Sequence, residues 1–136
     1  MKKGKRVKPK FPIEYRVLML QQLDDREKEI VTMVAIRTTI EFKNFLYEII
    51  VEPIVEDRTL HLKIRGLRAP QVTIPGTGPA KFSTTFSKLS GNYNLIIAKP
   101  NGEENTFGVA ISKDLVTVEP NPHKKFVDVV TKEEEW

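Results

Sequence analysis

Residues 89–111 constrain this chain more than any other stretch. Leu89-Ser90-Gly91 leads into Asn92-Tyr93-Asn94-Leu95-Ile96-Ile97, and Phe107-Gly108-Val109-Ala110-Ile111 returns after Pro100-Asn101-Gly102-Glu103. Both arms alternate, so Tyr93, Leu95 and Ile97 share one face with Phe107, Val109 and Ile111 of the returning arm. Asn101-Gly102 predicts a type I′ hairpin turn, whose two central residues both need positive φ.

The rest of the chain supplies strands. Residues 13–20 read as a strand, and 21–29, rich in Asp, Glu and Lys, as a charged connection. Residues 30–40 place Ile30, Thr32, Val34, Ile36, Thr38 and Ile40 on one face and Val31, Met33 and Ala35 on the other. Apolar residues on both faces predict a central strand. Residues 42–51 fit a helical stripe (Phe42, Phe45, Leu46, Ile49, Ile50) and a strand (Phe45, Tyr47, Ile49, Val51); β-branched and aromatic enrichment favours the strand. Glu56-Asp57-Arg58 reads as a turn. Leu60, Leu62 and Ile64 point inward from strand 59–64, with His61 and Lys63 outward, and Gly66 ends it. Residues 67–80 hold three prolines and two glycines, a loop with room for one edge strand at 71–74. Strands at 82–86 and 115–118 follow, and 126–130 reads as a short strand or a loose tail.

Seven or eight short strands separated by turn signals, without a long helix, predict an all-β chain. The hairpin with Tyr93 at its entrance resembles the immunoglobulin-like and fibronectin-III-like β-sandwiches over residues 80–111. The resemblance implies a single antiparallel β-sandwich of seven or eight strands. It also implies a tyrosine corner, with the Tyr93 ring buried and its hydroxyl bonded to nearby backbone. The paired core cysteines and buried tryptophan of antibody domains are missing; Trp136, the sole tryptophan, closes the sequence. The expected organisation is a basic flexible arm at 1–12, the sandwich at 13–119, and a tail at 120–136 holding at most one short strand.

Charge is unevenly spread. Lys2, Lys3, Lys5, Arg6, Lys8 and Lys10 occupy the first ten residues without an acid, leaving 16 basic and 18 acidic side chains over residues 11–136. The body is a poor phosphate binder, because nucleic-acid affinity comes from neutralising several phosphates together. The arm reads as a solvated tail or as an electrostatic tether to nucleic acid or an anionic membrane. Val17-Leu18-Met19-Leu20 is too short for a signal-peptide core, which reads as cytoplasmic; a leader removed from the natural chain would instead place the protein in a periplasm or outside the cell. The lack of cysteine excludes disulfides, zinc thiolates and a cysteine nucleophile.

Local chemistry is sparse. Gly76-Thr77-Gly78-Pro79-Ala80-Lys81 imitates a phosphate loop, but Pro79 removes a donor and a strand follows where a helix is needed. His61 and His123 stand far apart in sequence without neighbours at ligand spacing. Asp24, Asp25, Glu27 and Glu29 are interleaved with Arg26 and Lys28 and lack a calcium-loop pattern. Ser83, Ser87 and Ser90 lack a nucleophile elbow. The expectation is therefore a non-enzymatic interaction or structural module without cofactor, metal or small-molecule substrate. It would bind a protein partner, or a second copy, through loops or an edge strand. Arg68, Gln71, Thr73 and Thr77 of the proline-glycine loop are the expected contacts, with Lys2, Lys3, Lys5 and Arg6 carrying the alternative tether.

Overall fold

The computed structural model describes residues 12–69, 75–119 and 125–136. Three hairpins dominate them. β1 (Tyr15–Asp24) pairs with β2 (Glu29–Thr38), β3 (Glu48–Glu56) with β4 (Thr59–Arg68), and β6 (Gly91–Ala98) with β7 (Glu104–Ile111). β5 (Lys81–Ser87) lies antiparallel to β2, β8 (Val116–Val118) antiparallel to β7, and β9 (Val127–Val130) parallel to β1. Parallel contacts between β4 and β6, and between β3 and β5, join the hairpins into one sheet, in the order β8-β7-β6-β4-β3-β5-β2-β1-β9.

The all-β class expected from the sequence holds, but the architecture is different. In place of an antiparallel sandwich of seven or eight strands, nine strands form one mixed sheet curled into a nearly closed barrel. Inward–outward alternation is the same in both architectures, because each buries one face of every strand; it does not say which strands are neighbours. The two ends of the sheet approach through side chains. Asn105 Oδ1 on β7 accepts the N–H groups of Phe126 (2.8 Å) and Val127 (3.2 Å), and Gln21 Nε2 on β1 donates to the Ser112 carbonyl at 2.9 Å. Inside, Met19, Ile36, Leu60, Leu62, Leu95, Ile97 and Phe107 join residues from both sheet ends in one apolar core.

Local departures have local causes. The charged connection expected at 21–29 shrinks to a four-residue tip, because β1 and β2 run past the core into solvent, where Gln22, Leu23 and Ile30 are exposed. Gly66 does not end its strand: the β3–β4 register slips between Ile50 and Val51, and Gly66 adopts φ +149° within β4. Residues 42–47 lie ahead of β3, held to residues 75–78 by bridges at Phe42–Gly78 and Phe45–Pro75. Of residues 126–130, Val127–Val130 form β9, and Phe126 just ahead of it is in the core with Val127. The 99–103 turn is not type I′. Gly102 N–H donates to the Lys99 carbonyl at 2.9 Å, and only Gly102 has positive φ, at +94°. Pro100, whose ring fixes φ near −65°, takes the second position of a type I turn, and Gly102 follows in the left-handed region.

Candidate functional site

β3 and β5 diverge immediately after they meet. They pair at Glu48↔Lys81 alone, whereas β5 pairs with β2 from Ser87 through Lys81. From Phe82 to Ser87 the other edge of β5 has no partner strand among the described residues. No residue of β5 is fully buried, an unusual state for a strand in the middle of a sheet order. The two edges that part here differ in kind. β3 carries Glu52, Pro53 and Glu56, residue types that discourage edge pairing, while Phe82-Ser83-Thr84-Thr85-Phe86-Ser87 has neither charge nor proline.

A cleft of about 600 Å³ opens at this divergence. Tyr47, Glu48 and Ile49 form one side, and Lys81, Phe82 and Ser83 the other, with Ala35, Leu46, Arg68 and Trp136 completing it. Tyr47 is set by edge-on aromatic contacts with Phe42 (5.3 Å) and Phe45 (6.4 Å). Leu46 is held against Gly76 and Gly78, where an added Cβ would stand 3.3 Å from its side chain. Trp136 reaches the cleft from the far end of the chain. Arg37 lies over its ring at 5.3 Å and donates from Nε to its carbonyl at 2.7 Å; Nη2 of the same guanidinium and Arg16 Nη1 donate to that oxygen too. Burial, and then Arg16 beside it, draw Arg37 below its ordinary range, as expected where cations crowd. Arg68 donates to Glu48 Oε1 from Nε (3.1 Å) and Nη2 (2.9 Å). Lys81 is exposed and has no carboxylate partner among the described residues.

Of the contacts expected from the sequence, Arg68 lines the cleft and Thr77 is exposed between the two glycines that back Leu46. Gln71, Thr73, Lys2, Lys3, Lys5 and Arg6 lie outside the described residues, as does His123. Lys81, Tyr47, Phe82, Arg37 and Trp136 were missed. An uncharged Ser/Thr/Phe strand without proline was the one signal that could have marked this edge. The N–H groups of the phosphate-loop imitation are taken by the backbone of residues 42–44: Gly76 N–H donates to the Asn44 carbonyl and Gly78 N–H to the Phe42 carbonyl, at 3.1 Å each. Asp24 Oδ1 caps its own turn through the N–H groups of Arg26 and Glu27. His61 Nε2 lies 3.6 Å from Glu104 Oε2 on the outer face.

Tyr93 needs a correction. Its ring is half-buried against the core, but its hydroxyl makes no hydrogen bond among the described residues, and Arg58 lies over the ring at 5.0 Å. This is a covered ring at one end of the barrel, where β6 leaves the core, and not a tyrosine corner. Comparison with family models, curated proteins and solved structures finds no match to this chain.

Proposed function

We propose that this chain is a non-catalytic binding module that takes an extended segment of a protein partner in the cleft, laid along the free edge of β5. The observation that supports this reading above all is the single pair, Glu48↔Lys81, beyond which an uncharged strand edge opens into a cleft of about 600 Å³. Strand addition of this kind draws affinity from main-chain hydrogen bonds and selectivity from pockets for alternate side chains. Ser83 is exposed on the edge, and Tyr47 and Phe82 offer an aromatic wall beside it.

Amide exchange tests the edge directly. In the free protein, N–H groups of residues 82–87 donated to β2 should exchange slowly, and those turned to the opening should exchange fast. Uniform protection equal to that of β2 would show the edge already covered and would remove the proposal. Peptides selected from a random library on the wild-type protein should slow the fast set. Ser83→Trp, which fills the cleft from an exposed position, should abolish that binding while the melting temperature is kept. Full binding by this variant would place the site elsewhere.

A further inference from the structure

Resting on the reading of the cleft as a peptide site, we infer that the segment it takes is acidic and carries an aromatic residue, and that residues 132–136 of the chain itself hold part of that site as an internal ligand. Charge argues the first half. Arg68 and Lys81 stand in the cleft, and Arg16 and Arg37 grip Trp136 at its margin. The facing carboxylates are Glu48, engaged by Arg68, and Glu41, close enough to act on Arg37. The cationic surplus includes Lys81, which has no partner among the described residues. A carboxylate brought there gains an ion pair that the free protein lacks.

The tail argues the second half. Its sequence is Lys132-Glu133-Glu134-Glu135-Trp136, an acidic run ending in an aromatic residue, and it is Trp136 that lines the cleft. The three glutamates form one exposed 3₁₀ turn without a buried residue. Among the described residues, the hydrogen bonds from the body to this segment converge on the Trp136 carbonyl, from Arg16 and Arg37, and the ring contact is again with Arg37. A segment fastened at one residue is displaceable. Tethering nonetheless gives it an effective concentration on the order of millimolar, enough to screen out weak competitors.

The test uses N-acetylated, C-amidated peptides against the full chain. Lys-Glu-Glu-Glu-Trp should bind the Trp136→Ala variant at least about tenfold more tightly than the wild type, since its competitor is gone. Adding Lys81→Glu to Trp136→Ala should lose that gain, and Lys-Lys-Lys-Lys-Trp should not bind. Trp136 is the sole tryptophan, so a second measurement needs no variant. Lys-Glu-Glu-Glu-Phe added to the wild type should shift the emission of Trp136 to the red as the ring enters water. Equal binding by the lysine peptide would overturn the acidic preference and leave the cleft standing as a peptide site. Equal affinity of the acidic peptide for wild type and Trp136→Ala, with unmoved emission, would overturn the internal ligand. Failure of both peptides on both chains would overturn this inference; if library peptides also fail, the cleft reading falls with it.

Discussion

Asn105 is 3% exposed where β7 faces the start of β9, and its side-chain oxygen receives two backbone N–H groups, those of Phe126 and Val127. Removing that oxygen leaves buried donors without their acceptor, at about 1–3 kcal/mol for each such group. Asn105→Ala should therefore destabilise the fold by about 2–6 kcal/mol in urea titration. A loss below about 0.5 kcal/mol would mean that β9 does not depend on this residue. Tyr93 makes the opposite case. A tyrosine corner predicts a cost of about 1 kcal/mol for Tyr93→Phe, from one lost hydrogen bond. With no partner for the hydroxyl among the described residues, Tyr93→Phe should change stability by less than about 0.5 kcal/mol. A larger loss in the same titration would restore the corner.

Hairpins were the legible elements, because a strand and its successor are joined by a turn whose chemistry is written in adjacent residues. The inward sides of β4, β6 and β7 followed from alternation, and Leu60, Leu62, Leu95, Ile97, Phe107 and Val109 are all buried. Turn geometry was harder, because Asn-Gly satisfies two turns and the preceding residue decides between them. Pro100 favours the type I turn, and Asn101 secures it by accepting the Glu103 N–H at 3.0 Å. Gly102 then sits at φ +94° with open space around its Cα. Gly102→Ala should cost about 1 kcal/mol from backbone strain alone. Gly102→Asn should recover part of it, since asparagine enters the left-handed region more readily. Equal loss for both variants in thermal melts would refute the strain argument. The β5 edge was illegible for a related reason: periodicity identifies a strand's faces and is silent about its edges.

At the scale of the molecule, the parallel contacts β1–β9, β3–β5 and β4–β6 made the difference between a sandwich and a barrel. None joins consecutive strands, so no turn announces it. The cleft was hidden with them, since Lys81, Arg37 and Trp136 come from three distant parts of the chain. Closure also gathers Glu14, Tyr15, Lys99 and Phe126. Lys99 Nζ lies 2.7 Å from Glu14, 2.9 Å from Glu103 and 4.7 Å from the Phe126 ring. Its hydrogen bond to Glu14 above all holds the Lys99 pKa above the ordinary range, and burial first, then Glu14, does the same for Tyr15. Both groups thus bind their protons more tightly folded than unfolded. A group raised on folding contributes its full stability below its unfolded pKa and loses it as pH climbs through the folded value. Unfolded tyrosine and lysine titrate near about 10 and 10.4, so this stability should hold to about pH 10 and decline above it. Lys99→Met should start from a lower plateau and decline less steeply, and Tyr15→Phe should also soften the decline. Urea midpoints measured from about pH 8 to 12 read both slopes. If the two variants fall as steeply as the wild type, alkaline loss originates elsewhere and the Glu14–Lys99 contact does not hold the barrel closed.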